Sequence, residues 1–412
     1  MNNFDSPINI ALIFDQEVLS GGGYQQGLNS ALLASRINPK LANIIFFHTK
    51  KSIKNKLNNH GIKSQFIDLS YFQKLYLYIK TTEKLRIIYK LIRLFLDFNF
   101  FEAFLIRKDI DLVYFISPSR FALDLDKLNF IFTIWDLCHR DNVEFPEIKL
   151  KGEFENRELR INYAAKRAIS IIVDSDYGKY NLSKKYNIEA ERICVIPFEP
   201  LRDIKENKEL PYSSDYILKK YNIGNKYVFY PAQFWPHKNH IYILKAIYIL
   251  KKVHEIKLNI VFSGGDKGNK EKVKNFAEKN GLHDQLIFTG FISNKELMSL
   301  YKYSIALVMP TFFGPTNIPP LEAFKIGVPV IYPDLDGLRD QVGDAALLMN
   351  LYDPNTLSDC LYKLLKDKDL RNDLINKGFK MTDKNTKYDR LNKFENILSQ
   401  FIIKYCNFRN KE

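Results

Sequence analysis

The sequence predicts an α/β protein made of two parallel-sheet domains. Short β-branched and aromatic runs alternate with longer stretches at helical spacing, which is the α/β signature. The alternation stops once, in the polar, charged stretch 201–214 with Pro211, and then restarts. A chain of 412 residues with 46% hydrophobic side chains buries a large core but is long for a single one. The expected division is a first domain over 1–200, a second over 201–389, and a closing helix over 390–412 that packs back on the first domain.

In the first half, Ile8–Phe14 reads as a strand. A loop of Gly21, Gly22 and Gly23 follows, and a helix begins at Gln25 and Gln26. Further strands are expected at 43–48, 112–116, 130–135, 171–174 and 194–197. In the second half, strands are expected at 227–230, 258–262, 286–288, 305–309 and 328–332, with a helix over 241–254 whose apolar residues recur at helical spacing. Residues 390–406 form an amphipathic helical pattern. Open parallel sheets bind ligands beyond the carboxyl ends of their strands. The unusual residues of this chain collect there, at 21–23, 135–140, 233–240, 263–265 and 311–322.

The net charge of +14 and pI near 9.2 point to an anionic partner: a nucleotide, a phospholipid surface or a nucleic acid. The basic residues are scattered and form no nucleic-acid-binding motif, so no nucleic acid is expected as the partner. Cys138, Cys194, Cys360 and Cys406 form no CxxC pair and no zinc spacing, which implies a reducing compartment without structural metal or disulfides. Residues 1–7 are polar and carry no secretory pattern. The longest apolar stretch, 91–106, is interrupted by Arg93, Asp97 and Glu102. A cytoplasmic protein is expected, peripheral at the inner face of the membrane.

Four segments carry chemistry. In 311–330, TFFGPTNIPPLEAFKIGVPV, Gly and Pro set a loop and Pro320 suits a helix start. Glu322 is then expected in the first helical turn, accepting hydrogen bonds from sugar hydroxyls, where amide N–H groups suit a diphosphate. Taken alone, this glutamate reads equally as a helix-dipole residue. In 230–240, YPAQFWPHKNH, Lys238 stands between a strand end and a helix, either as a point charge over a pyrophosphate or as a solvated lysine. In 133–146, TIWDLCHRDNVEFP, Asp136, His139 and Arg140 follow an apolar strand. The glycine loop lacks the Lys-Ser/Thr of a phosphate loop and the full GxGxxG spacing.

Together these segments resemble the retaining glycosyltransferases of family 4, whose GT-B fold sets two Rossmann-like domains facing a central cleft. The variant form is similar to mannosyl- and hexosyltransferases of bacterial surface polysaccharide, lipopolysaccharide and O-antigen synthesis. Residues 317–323, NIPPLEA, match the second half of that family's Glu-x7-Glu donor signature, with Glu322 as the second glutamate. The first falls on Gly314, so the resemblance passes the sugar contact to Thr316 or to the amides of Thr316, Asn317 and Ile318. The family's phosphate-binding Arg and Lys correspond to Gln233 and Lys238, with His237, His240 or a helix N-terminus supplementing the missing charge. The acceptor-side His-Asp region corresponds to Trp135 and Asp136, near His139 and Arg140. Gly22 and Gly23 match glycines that approach the donor phosphate; Ser263, Gly264, Gly290 and Phe291 match positions lining the nucleotide. The resemblance is strongest over 226–354 and patchier over 8–197.

What the resemblance implies is a hexose transfer from a nucleoside-diphosphate sugar to a glycan or lipid-linked glycan, with Asp136, Lys238 and Glu322 catalytic. In the front-side mechanism proposed for such enzymes, the departing phosphate oxygen takes the acceptor's proton. The donor sugar is a co-substrate, GDP-mannose by the variant motif with UDP- and dTDP-sugars as open alternatives, and neither cofactor nor metal is expected. Open alternatives are a sugar-nucleotide-binding pseudo-enzyme, another nucleotide-sugar enzyme such as an epimerase, and a basic nucleic-acid-binding protein. Finally, 71–108 sets Lys74, Lys80, Lys84, Arg86, Lys90, Arg93, Arg107 and Lys108 among aromatic and aliphatic residues. It reads as a basic helix lying on an anionic membrane surface, and equally as a surface helix with a buried aromatic face.

Overall fold

The computed structural model describes residues 7–15, 21–200, 211–224, 226–314, 316–383 and 387–407. The chain forms two compact units. The first comprises Met1–Asp141, Ile148–Pro197 and Asn385–Glu412; the second comprises Asn142–Glu147 and Phe198–Lys384. The hexapeptide Asn142–Glu147, placed in the first domain by sequence, therefore belongs with the second. Most of the expected linker, 201–210, lies outside the described residues, and a helix begins at Ser214.

The first unit is a seven-stranded sheet in the order β3-β2-β1-β4-β5-β6-β7, all pairs parallel. Its strands are β1 Ile8–Phe14, β2 Ala42–His48, β3 Ser64–Phe66, β4 Leu112–Phe115, β5 Asn129–Thr133, β6 Ser170–Val173 and β7 Ile193–Val195. Helices cover both faces, so central strands are apolar almost throughout. In β1, Ala11 and Ile13 enter the core on one face, and Ile10, Leu12 and Phe14 enter the core on the other. That second face is closed by the helix Lys387–Tyr405. Its Phe394, Leu398, Phe401 and Ile402 recur at helical spacing and join the same core as Ile10 and Leu12. The Phe394 ring lies 4.9 Å from that of Tyr114, and Tyr405 Oη donates to Asp111 Oδ1 at 3.0 Å.

The second unit is a six-stranded parallel sheet, β10-β9-β8-β11-β12-β13. Its strands are β8 Tyr227–Pro231, β9 Asn259–Ser263, β10 Leu286–Gly290, β11 Leu307–Val308, β12 Val330–Pro333 and β13 Ala346–Met349. One continuous core holds it together, with Tyr227, Phe229 and Tyr230 of β8 fully buried at its centre. Both sheets reverse their strand order once, between β1 and β4 and between β8 and β11.

Three expectations are corrected here. The glycine run is not a loop before the helix: Gly21 is the cap, and the helix Gly22–Ala34 takes in Gly22 and Gly23. Residues 71–108 are not one helix but Tyr71–Thr81, Arg86–Arg93 and Phe100–Ile106, with a 3-10 turn between the first two. Thr82, extended at φ −112 and ψ 117, ends the first of them. The closing helix begins at Lys387 rather than 390. Among the described residues no helix is long and apolar enough to cross a membrane.

Candidate functional site

In the second sheet, the loops leaving β8 and β11 diverge at the reversal of strand order, where open parallel sheets bind ligands. The chain leaving β8 bridges at Phe234 to Asp266, then makes a 3-10 turn over Pro236–Lys238, closed by Asn239 at φ 53. This turn sets Lys238 against the loop after β11: its Nζ lies 3.4 Å from Thr311 Oγ1 and 3.4 Å from Asn317 Oδ1.

Asn317 is held on three sides. Its N–H donates to Gln341 Oε1 at 2.9 Å, its side-chain amide donates to Tyr332 Oη at 2.7 Å, and its carbonyl accepts from Gln341 Nε2 at 2.5 Å. Tyr332 Oη in turn donates to Gln341 Oε1 at 2.9 Å. With the side-chain nitrogen so committed, the side-chain oxygen Oδ1 of Asn317 is the atom left toward the Lys238 ammonium. Sequence reasoning gave the Asn317 N–H to the ligand; the structure gives it to Gln341.

The helix Ile318–Ile326 starts immediately after Asn317, itself extended at φ −132 and ψ 149. Pro319 and Pro320 tolerate this position because the first N–H groups of a helix lack internal partners. They also remove two of those donors, so Ile318 alone among the first three helical residues carries an N–H. Glu322 is the fifth residue of the helix, not in its first turn, because the helix begins as early as Ile318, two residues before Pro320. Its side chain is buried and Oε2 accepts from the fully buried Tyr301 Oη at 2.9 Å. Gly314, at the place of the family's first glutamate, has φ 96, and a Cβ there would lie 3.1 Å from the Thr316 carbonyl. An L side chain is strained in that conformation, so this loop has a shape that disfavours glutamate.

The other predicted residues of this unit flank Lys238. Gln233 Oε1 accepts from Trp235 Nε1 at 3.1 Å. His237 is fixed by Glu147, whose Oε1 lies 2.5 Å from Nδ1 and accepts the His237 N–H at 3.2 Å. The His237 ring stacks on Phe313 at 4.2 Å, and Phe145 meets Phe313 edge-on at 4.9 Å. Burial pushes the Glu147 carboxyl up, but its hydrogen bonds from His237 outweigh this and hold it below the usual carboxylate range. Ser263 Oγ pairs with Thr289 Oγ1 at 2.6 Å, and the Gly264 N–H donates to the Gly290 carbonyl at 3.0 Å, tying the ends of β9 and β10. The Phe291 ring stands 70% exposed beside Gly265. His240 is corrected: it is fully buried, stacked on Phe234 at 4.3 Å, and burial lowers its pKa to about 3, so it adds no charge to the site.

In the first unit the matching reversal of strand order brings Asp15, after β1, to Ser117, after β4; Ser117 Oγ donates to Asp15 Oδ1 at 2.7 Å. Burial raises the Asp15 carboxyl above its ordinary value. Trp135 and Asp136 follow β5. The Trp135 ring lies against Gly23, where a Cβ would come within 3.0 Å of it, while Gly22 is exposed. Asp136 Oδ1 accepts from the Cys138 N–H at 3.0 Å and from Arg157 at 2.9 Å. Burial pushes its carboxyl up, and the Arg157 guanidinium brings it below the ordinary value. Glu153 Oε1 joins Arg157, at 2.8 Å, to Arg160, at 3.3 Å.

His139 and Arg140, expected to face the acceptor, are instead committed to Glu158. His139 is fully buried, with Nε2 2.7 Å from Glu158 Oε1. Arg140 grips both oxygens of the same carboxylate at 2.8 and 2.5 Å and lies over the Tyr186 ring at 4.2 Å.

Residues 215–381, which contain the Lys238–Asn317 arrangement, match the family model described as Glycosyl transferases group 1. The matched residues all lie within the second unit. O-antigen chain mannosyltransferase B of Escherichia coli is 24% identical over 252 residues, 58% of this chain and 60% of that protein. O-antigen chain mannosyltransferase RfbU of Salmonella typhimurium is 29% identical over 190 residues, 46% of this chain and 49% of that one. The chain thus spans less than two thirds of the length of these curated relatives. The crystal structure of Anabaena Alr3699/HepE with UDP-glucose aligns with a TM-score of 0.70 at 14% identity, covering 96% of this chain and 99% of that one. The fold is GT-B, with two Rossmann-like parallel sheets.

Within the matched residues, Lys238, Thr311 and Asn317 come together, and Glu322 is bonded to Tyr301. Sequence reasoning missed Glu147, Tyr301, Tyr332 and Gln341. No spacing links them to the motif; each comes from another element, and only the folded sheet brings them to Asn317, His237 and Glu322. Arg157 was missed for the same reason, although its i, i+4 relation to Glu153 was readable as a helical ion pair.

Proposed function

We propose that the chain transfers a hexose from a nucleoside-diphosphate sugar to a glycan or lipid-linked glycan, with retention at the anomeric carbon, in surface polysaccharide or O-antigen synthesis. The observation that carries the reading is Lys238 set against Thr311 and Asn317 at the strand-order reversal within the residues that match the group 1 glycosyl transferases. An ammonium in that place stabilises the charge that develops on a departing diphosphate, which is electrostatic preorganisation. Asn317, braced by Tyr332 and Gln341, holds the ammonium at little reorganisation cost.

GDP-mannose is the proposed donor, supported by the names of the two relatives. UDP-glucose, which the HepE structure holds, is the competing choice. The proposed setting is cytoplasmic, peripheral at the inner face of the membrane, where a lipid-linked acceptor resides.

The test is thermal unfolding against nucleoside diphosphates and their sugars, followed by transfer assays with the nucleotide that shifts the midpoint. A ligand that binds only the folded state raises that midpoint. Lys238→Ala and Glu322→Ala are each expected to lower transfer by ~2–4 kcal/mol of transition-state stabilisation. Lys238 acts on the leaving group, whereas Glu322 acts from its buried bond with Tyr301. Wild-type rates in both variants would refute the assignment. Binding without product would assign the chain to non-catalytic sugar-nucleotide recognition. Transfer is also expected to survive EDTA; loss of activity restored by Mn²⁺ contradicts a front-side departure assisted by Lys238 alone.

A further inference from the structure

Of the large apolar side chains that stand exposed among the described residues, more than half lie between Tyr71 and Ile106. A soluble surface rarely gathers them so densely without a use. On the helix Tyr71–Thr81, the exposed Tyr71, Leu75 and Tyr78 share one stripe at i, i+4 and i+7, while Tyr76 and Leu77 on the other side are buried. The helix Arg86–Arg93 repeats the device. Its exposed Ile87 and Leu91 line up with Leu94 just beyond, and Phe95 follows at 87% exposure. This helix has no buried residue at all, so its apolar stripe adds nothing to the core.

The charge around the stripes is one-sided. Lys74, Lys84 and Lys90 are exposed beside them. The acidic residues are paired: Glu83 with Arg86 at 3.0 Å and Asp97 with Arg93 at 3.0 Å, both within the same segment, and buried Glu102 with the N–H groups of Asp126, Lys127 and Leu128. The platform is anchored from below. Tyr76 Oη donates to the Leu96 carbonyl at 3.0 Å and accepts from the Phe98 N–H at 3.2 Å, and Lys80 pairs with Asp124 at 2.7 Å.

We infer that this surface docks on an anionic bilayer, with both helices lying in the interface, the apolar stripes at the headgroup–acyl boundary and the lysines against lipid phosphates. Lysine is depleted from protein–protein contacts, whereas at a bilayer its stem lies along the apolar layer and its charge meets phosphate. The tyrosines Tyr71 and Tyr78 suit the same boundary, with an apolar ring and a polar tip. The inference deepens the proposed function, resting on it for a lipid-linked acceptor.

The experiment is cosedimentation of the full chain with phosphatidylcholine vesicles, with and without phosphatidylglycerol, at low and high salt. Two triple variants accompany the wild type: Ile87→Ser/Leu91→Ser/Leu94→Ser and Lys74→Gln/Lys84→Gln/Lys90→Gln. All six positions are exposed or partly so, and an unchanged thermal midpoint checks that both variants fold. The wild type is expected to bind the anionic vesicles and lose binding with salt. The lysine variant should bind roughly a hundredfold more weakly, from about fivefold per lysine, and the apolar variant at least roughly tenfold more weakly. Three results overturn the inference: no sedimentation of the wild type with anionic vesicles at low salt, variants that sediment like it, or self-association of the wild type that only the apolar variant loses, which assigns the face to a second copy. The nucleotide-induced midpoint shift is read on the same samples. If it persists while vesicle binding fails, docking alone falls; if it is absent in the wild type, the donor reading falls.

Discussion

Gly314 stands where the backbone itself disfavours the glutamate of the pattern that the segment resembles. Its φ of 96 and the nearness of the Thr316 carbonyl mean that the loop runs along a path a glutamate would strain. Gly314→Glu is therefore expected not to restore a lost sugar contact but to cost about 1–3 kcal/mol of stability and to lower transfer; a more active, equally stable variant, measured by thermal unfolding and initial rates, would show that the loop is free to re-form. Gln233 is a milder departure, since its carbonyl oxygen is turned to Trp235. Lys238, Asn317 and Glu322 were legible because each sits in a contiguous motif. The residues that brace them were not, because Tyr301, Tyr332 and Gln341 reach the motif only through the sheet. His139 misled for a physical reason as well: a histidine after a strand end reads as a site residue, and only the fold reveals the carboxylate of Glu158 behind it.

At the level of elements, β1 and β8 were legible because buried central strands are apolar almost throughout. β3 and β13 were not: three or four residues carry no usable period. The glycine run was read as a loop because glycine is a poor helix former, yet Gly23 lies in a first helical turn where the Trp135 ring excludes a Cβ. The helix Lys387–Tyr405 was legible as amphipathic, but the sheet face that receives it was not. Its Phe394 is 1% exposed and packs on Tyr114. Phe394→Ala is expected to destabilise the first unit by about 3–5 kcal/mol, read as a lowered denaturant midpoint; a change within ~0.5 kcal/mol, as for surface positions, would show that this helix is not part of the core.

Across the whole molecule, each unit holds a carboxylate of the same character. Burial pushes Glu158 up, and hydrogen bonds from Arg140, Tyr186 and His139 outweigh it, bringing its pKa to about 2. Burial pushes Glu296 up, and Lys220 and Tyr221 outweigh it in the same way, again to about 2. A folded pKa below the unfolded value gives stability that is complete above the unfolded value, near 4.5, and is lost as the pH falls from there toward 2. For each group the loss is on the order of 3 kcal/mol. Glu296→Gln is expected to flatten the acid limb of the second unit while leaving that of the first, followed by unfolding at stepped pH; an unchanged profile would mean that these bonds persist in the unfolded chain.

The helix that closes one face of the first sheet follows the second unit in the chain. During synthesis the ribosome therefore releases every strand of the first sheet, and then the entire second unit, before Phe394 and Leu398 emerge. At 5–20 residues per second, the apolar face formed by Ile10, Leu12 and Tyr114 waits tens of seconds for its cover. The usual order, in which the earlier domain is finished first, is reversed, and the nascent first unit is the stretch a chaperone has most reason to hold.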